Sequence, residues 1–303
     1  MNVPIVLASG KITLASKDEH EDLFRALKGV ANNFGIVTRF ETNAFEAPQL
    51  WSGVATYTKD AGDALLDAMV AFTNNVEKDM ESSSIIFWTY QPALNYTLII
   101  AYENTAGVVR GPSFEKYLAV PGNISSTVRL TNMSDLTEEL EQPSEYRYVA
   151  SRIPMMNNAN TVCPSDIWFT LTFRNDKKVL DYAVKTPGQL VLDIQSHISE
   201  DADLITQCMF QPLPTIFAEH STEQGGNMLG LDRETDNALL WLATLVVRSA
   251  NEESCGRTVM AAWVRDIGTE MSANMVPRPM QRLTLSPQLR RRDARSAVEL
   301  RRG

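Results

Sequence analysis

DAGDALLDAMVAFTNNVEKDMESSSIIFWTYQPALNYTLIIAY, residues 60–102, is the stretch on which the fold class turns. Leu65, Met69, Phe72 and Val76 follow one another at spacings of 4, 3 and 4, which stacks them on one face of a helix over Asp60–Glu77. Behind it, Ile85–Tyr90 and Leu94–Tyr102 are β-branched and aromatic runs around a turn containing Pro92 and Ala93, so they read as an antiparallel hairpin. A helix leading into a hairpin is the unit of an α+β fold, in which helices cover one face of an antiparallel sheet.

The same unit returns later in the chain. Asp166–Phe173 carries a pattern that strand and helix both satisfy. Asp176–Ser199 reads as helix interrupted at Pro187-Gly188, and Leu204–Phe210 and Leu239–Val247 as strands. Arg257–Met271 is a helix by the apolar stripe of Val259, Met260, Trp263, Val264, Ile267 and Met271. Toward the start, Val3–Leu7 and Lys11–Ala15 form a hairpin about Ser9-Gly10. Asp18-x-x-Glu21 resembles a capping box, opening a short helix through Leu23, Phe24 and Leu27 that stops at Gly29. A Gly-containing bend then runs into a strand ending at Phe40. A short strand within Ser125–Thr131 and a short helix over Leu136–Leu140 complete the reading.

With 303 residues, 44% hydrophobic and 21% charged, the chain buries a sizeable core and is neither disordered nor a small disulfide scaffold. No run of about 18 consecutive apolar residues occurs, so no spanning helix is expected. Met1–Ser16 alternates apolar and polar residues without the pattern of a secretory signal, and the literal reading is cytoplasmic. Asn95-Tyr-Thr, Asn123-Ile-Ser and Asn132-Met-Ser fit the N-glycosylation pattern, which matters only for a secreted product. Cys163, Cys208 and Cys255 are widely spaced and odd in number, and His20, His197 and His220 are scattered, so neither a disulfide framework nor a metal site is indicated.

Charge is unevenly placed. The formal net charge of −9 combines eight arginines against two acids from Arg278 onward with an excess of acids before it. An acidic body disfavours nucleic acid, which rewards a basic face. The Arg-rich end over 277–303 fits an electrostatic arm for RNA, DNA or an anionic membrane, but it has no interleaved aromatics of the kind that stack on single strands, which favours a solvated, disordered tail or residues outside the ancestral fold. Nucleophile elbows, zinc-protease helices, phosphate loops and dinucleotide fingerprints are absent from the sequence.

Asp22-Leu-Phe-Arg-Ala-Leu-Lys-Gly29 followed by Asn33-Phe-Gly-Ile-Val-Thr38 resembles the closing segment of the flavin-binding domain in the berberine-bridge-enzyme-like, PCMH-type FAD-linked oxidoreductases, fungal branch. Phe114-x-x-Tyr-Leu-Ala-Val-Pro121, Met209-Phe-Gln-Pro-Leu-Pro214 and Gly225-Gly-Asn-x-Leu-Gly-Leu231 resemble successive landmarks of that family's substrate domain, in the same order. The resemblance implies a terminal fragment of an α+β FAD-binding domain over 1–48 and an α+β substrate domain over 49–276, its antiparallel sheet covered by helices on one face. It also implies FAD as cofactor, a small organic substrate and hydride transfer to the flavin with reoxidation by oxygen.

Asn33, Gly35, Ile36 and Val37 are then the cofactor-side residues, Gly35 letting the backbone approach the cofactor. Gln207 and Gln211, alternating with Cys208 and Phe210, are the substrate-side residues; a solvent-facing polar stripe is an equal reading of the same spacing. The family's flavin-attaching histidine, its Gly-rich pyrophosphate loops and its closing Tyr- and Asn-containing segment are not found, and Val30 and Ala31 stand where glycines are usual. Impaired flavin chemistry is therefore expected. The alternative is a non-catalytic substrate-domain module or partner subunit without flavin. No membrane or nucleic-acid partner is expected, and relatives are often secreted.

Overall fold

The structure is a computed structural model that describes residues 2–29, 33–47, 49–91, 95–140, 165–185, 187–197, 205–247 and 250–272. Two sheets organise them. The first has the order β2-β1-β3, built from β1 (Asn2–Leu7), β2 (Ile12–Ser16) and β3 (Gly35–Val37), all antiparallel. Val3 and Ala15 on one face enclose Phe24 of α1 (Glu21–Leu27), with Leu23, Leu27 and Val37 around them.

The expected capping box at Asp18 is not formed. The Ser16 hydroxyl accepts from the backbone N–H groups of Asp18 and Glu19 at 3.2 and 3.0 Å, closing a local turn. His20 then adopts a left-handed conformation as the N-cap without a side-chain hydrogen bond. Glu21 thus becomes the first helical residue rather than the third, because a serine side chain competing for nearby N–H groups re-sets the helix start.

The second sheet has eight antiparallel strands. Its order is β7-β4-β6-β5-β10-β11-β9, with β8 also on β4. The strands are β4 (Leu50–Thr58), β5 (Ser82–Gln91), β6 (Asn95–Asn104), β7 (Asn123–Ser126), β8 (Arg129–Thr131), β9 (Ser165–Arg174), β10 (Ile205–Leu213) and β11 (Ala238–Val247). Asp166–Phe173, ambiguous by pattern, is strand because its alternation, Ile167 and Phe169 inward and Trp168 and Thr170 outward, has period two. The single strand expected within Ser125–Thr131 is divided into β7 and β8, both pairing with β4.

The helices α2 (Gly62–Asn75), α5 (Lys177–Lys185), α6 (Pro187–His197) and α8 (Ala250–Glu270) share one core with one face of this sheet. The other described helices are α3 (Glu115–Leu118), α4 (Met133–Glu139) and α7 (Thr215–Glu223). The break at Pro187-Gly188 falls as expected, proline being tolerated at a helix start but not in its interior. The fold is therefore α+β with helices on one face of an antiparallel sheet. No described helix is long and apolar enough to cross a membrane.

The core is aromatic at two places. Trp241 of β11 is fully buried, edge-on to Trp263 of α8 at 5.1 Å and tilted to Phe173 at 6.3 Å. Phe114 stacks on Phe72 at 5.5 Å and meets Trp51 and Tyr102 at 5.2 and 5.5 Å, with Tyr117 beside them. The Phe114…Pro121 landmark is thus a plug in the core, whose aromatic pairs add about 0.5–1.5 kcal/mol each beyond burial.

Helix α2 is clasped from several sides. Lys177 Nζ lies 2.5 Å from Asp63 Oδ1 and 2.7 Å from Asp181 Oδ1, joining α2 to α5. Asn175 Nδ2 donates to Val70 O at 2.9 Å, and Asn237 Nδ2 to Thr73 O at 3.3 Å.

Two outcomes follow from this packing. A Cβ on Gly62 would lie 2.4 and 2.6 Å from Cη2 and Cζ2 of the buried Trp88 ring. Gly62→Ala is expected to destabilise by about 1–3 kcal/mol despite alanine's better helix propensity, since overpacking exceeds the gain; thermal denaturation reads it, with partial recovery in Gly62→Ala/Trp88→Phe. Burial works against the charged Lys177 amine, but its hydrogen bonds to Asp181 and Asp63 and their charges outweigh that and raise its pKa. A raised folded-state pKa stabilises below the ordinary lysine range, and the contribution is lost as pH rises through the folded value. Lys177→Met should cost up to about 1 kcal/mol near neutrality, the difference from wild type vanishing in alkaline denaturation curves.

Candidate functional site

Strand β3 is the edge of the small sheet. It pairs with β1 through Ile5↔Val37, Val6↔Ile36 and Leu7↔Gly35, and among the described residues no strand pairs with its other side. Gly35 has φ +155°, and a Cβ there would lie 2.2 Å from Val6 O. The close approach that glycine permits is therefore, within this chain, an approach to β1. Val37 turns into the small core with Phe24, while Ile36 is 71% exposed. Asn33 lies exposed just before the strand. Val6 faces both Ile36 and Ile12, and Pro4 faces Leu14, so Ile12, Leu14 and Ile36 make an exposed apolar surface opposite the helix-covered side. Val30 and Ala31 lie outside the described residues.

Strand β10 obeys the expected alternation. Thr206, Cys208, Phe210 and Pro212 are buried, while Gln207, Met209 and Gln211 are half-buried on the face away from the helices. Burial pushes the Cys208 thiol up to about 12, with Trp241 offsetting part of the shift.

Cross-strand register extends this face sideways in rows, because residues directly opposite in antiparallel strands share a side; Thr89, Thr172, Leu242 and Thr244 within the rows are themselves buried. One row runs Thr58, Thr97, Thr89, Gln207, Thr244, Trp168. The next runs Thr56, Ile99, Phe87, Met209, Leu242, Thr170. Gln211 begins a third with Leu240 and Thr172. None of these residues is charged. Gln207 Nε2 donates to Thr89 Oγ1 at 3.1 Å, fixing the amide within its row.

The small sheet meets the large one's connections through α1. Lys28 Nζ donates to Gln224 O at 2.8 Å, Met228 N–H to Lys28 O at 3.3 Å, and Lys28 Nζ sits 4.1 Å from the Phe24 ring centroid. Burial, then the neighbouring Arg25, lowers the Lys28 pKa. Gly225 has φ +91°, and a Cβ on it would lie 2.9 Å from Lys17 Cβ and 3.1 Å from Phe24 Cε1. The Gly225…Leu231 landmark is thus the loop on which α1 docks. A cavity of about 390 Å³ at this junction is lined by Asp22, Arg25, Asn227, Asp232 and Arg233 among others. A second, of about 260 Å³, lies where α2 ends, near Asp79 and Ser113.

Gln207 and Gln211 are thus brought together on one strand face. Gly35, Ile36 and Val37 stand on the other sheet, with Asn33 just before it. Sequence reasoning missed Thr89, Thr97 and Thr244, whose signal was their period-two alternation with apolar neighbours. It also missed β4 and α7 altogether.

Two measurements test this geometry. Gly35→Ala should unzip β3 from β1, seen as lost hydrogen-exchange protection at Ile5–Leu7 with the large sheet unchanged, because the added methyl meets backbone rather than a yielding side chain. Cys208 should resist a thiol reagent in the native state while the half-buried Cys255 reacts, as peptide mapping would read; rapid native labelling of Cys208 contradicts its placement.

No protein-family model matches the chain. It is 30% identical over 250 residues to the FAD-dependent monooxygenase drtC of Aspergillus calidoustus, covering 82% of this chain and 44% of that protein. It is 32% identical over 244 residues to the FAD-dependent monooxygenase sdcF of Emericella nidulans, covering 78% and 46%. In structure it matches the berberine-bridge-enzyme-like protein 1 of Physcomitrella patens with a TM-score of 0.57 at 13% identity, over 88% of this chain and 54% of that one. The chain spans a little under half the length of these two curated relatives. The chain is thus similar in sequence to part of the fungal FAD-dependent monooxygenases and shares its α+β fold with part of the berberine-bridge-enzyme-like proteins.

Proposed function

We propose that the chain is the C-terminal part of a FAD-dependent oxidoreductase, residues 1–48 closing a flavin-binding domain and residues 49–276 forming the substrate domain. The observation that carries this reading is the face of the large sheet away from the helices, where Thr89, Leu242 and Thr244 are buried and Phe87, Gln207, Met209 and Gln211 half-buried. Its central strands present Thr, Gln, Met, Phe and Leu and no charge, in a chain that is 21% charged overall. A sheet face left to water ordinarily carries polar and charged residues; a half-apolar, uncharged one is built to be covered.

Bound FAD would supply the electron acceptor for hydride taken from a small organic substrate, with oxygen as the reoxidant. The residues present fit the ring end of such a cofactor. The edge of β3 that no described strand pairs with carries the main-chain groups of Gly35, Ile36 and Val37, with Asn33 just before it and no side chain intervening at Gly35. Gln207 and Gln211 supply amide groups toward substrate. They do not fit the phosphate end: α1 opens on Glu21 and Asp22, whose charge repels a phosphate where a helix N-terminus would otherwise attract one. A partial rim must still offset association costs of about 4–15 kcal/mol, so the chain by itself holds FAD poorly and its activity is impaired.

The visible spectrum tests this. The 303-residue chain should purify without stoichiometric flavin. Grafted in place of the matched 250 residues of the drtC monooxygenase, it should give a folded chimera with full flavin absorbance. A folded but colourless chimera sinks the family role; a 303-residue chain that holds FAD one to one sinks the impairment.

A further inference from the structure

The large sheet is built alike from both ends. One half runs β4, α2, β5, β6 along the chain and the other β9, α5, α6, β10, β11. Each half sets its last strand between the other two, so β5 meets β10 at the centre and β4 and β9 hold corresponding outer positions. Beyond β4 the sheet continues into β7 and β8, strands of four and three residues, with a register shift against β4 between Thr56 and Tyr57. Short strands and irregular pairing blunt that end. Among the described residues no strand pairs with the corresponding far side of β9.

Strand β9 itself carries no such device. It is ten residues long, has neither proline nor glycine, and pairs with β11 in continuous register from Ser165↔Val247 to Arg174↔Ala238. Its charged residues are Asp166 and Arg174, one near each end. A long, regular and mostly uncharged edge is a template for another strand. Asn175 N–H donates to Asn237 O at 2.9 Å on the β11 side. Main-chain groups alternate sides along a strand, so the even-numbered residues, Trp168 and Thr170 among them, aim theirs away from β11. Trp168 is 47% exposed, and Thr170 is exposed as well.

The order of residues along this edge says which strand fits it. Laid antiparallel against itself about Thr170, β9 brings Thr170 opposite Thr170, Trp168 opposite Thr172, Ile167 opposite Phe173 and Asp166 opposite Arg174. The even-numbered residues then meet as hydrogen-bonded pairs, and opposite charges face each other at both ends of the ladder. Arg174 Nε lies 3.8 Å from Asp236 Oδ2 at the surface, a loose contact that leaves donors of the guanidinium for a second carboxylate. We propose that β9 pairs antiparallel with β9 of a second copy about a twofold axis at Thr170, joining the two large sheets into one. Such a contact is isologous and occupies both edges, so assembly stops at two copies. It does not depend on the flavin reading.

Sedimentation of the 303-residue protein over a range of concentrations tests it, with hydrogen exchange followed in parallel. The protein should pass from monomer to dimer as concentration rises, and the amides of Trp168 and Thr170 should gain protection with it. Thr170→Pro removes an outward N–H at a sheet edge, where proline is tolerated, and should leave a monomer with an unchanged circular dichroism spectrum. Asp166→Arg and Arg174→Asp each set like charges opposite one another at both ends, and each variant alone should dimerise about tenfold more weakly than wild type. Mixed one to one, the two variants should recover wild-type association, because each then meets opposite charges at both ends. Should Thr170→Pro unfold, the charge-reversed pair decides alone. A monomer at every concentration overturns the inference, as does association beyond two copies. So does a dimer that survives a folded Thr170→Pro, or a mixture that pairs no better than its components.

Discussion

The alternation along β10 is the constraint on which the rest depends. Cys208 and Phe210 must enter the core beside Trp241, and a strand that turns them inward turns Gln207, Met209 and Gln211 outward by the same pleat. A one-residue slip would exchange the two sets. The core under β10 and the chemistry on its opposite face are therefore set by one register, held by β5 on one flank and β11 on the other. Helices α2, α5, α6 and α8 share their core with one side of the sheet.

The small sheet is held to this body by a different device. Helix α1 rests on the turn around Gly225, where main chain, not side chains, meets Lys28 and Phe24. Such contacts are few and partly exposed, whereas the large sheet buries its strands across their whole width. The two units thus differ in what secures them: hydrophobic area in one, close backbone approach in the other. This agrees with their separate places in the proposed reading, where a flavin-domain remnant adjoins a self-sufficient substrate domain.

Legibility followed the strength of the local pattern. The stripe of Leu65, Met69 and Phe72 located α2, and the runs on either side of Pro92 located the hairpin of β5 and β6. Strand β4 was missed although it pairs with three strands, because Leu50–Thr58 includes Gly53 and is buried at most positions, which blurs its alternation. The start of α1 was misplaced because the Ser16 hydroxyl takes N–H groups that the motif assigned elsewhere. Gly35 was read for a cofactor's approach, while its nearest neighbour is Val6 O; within the chain, strand pairing accounts for it.

By itself the sequence determined the α+β class, the separate faces of β10 and the family likeness, since hydrophobic period and ordered motifs are local properties of the chain. Only the tertiary structure decided which residues stand side by side. Thr89, Gln207 and Thr244 come from three strands scattered over more than 150 positions, and nothing local in any strand names its partner. Register is fixed by long-range pairing and by the shared core beneath it, and that core exists only once the whole sheet has closed.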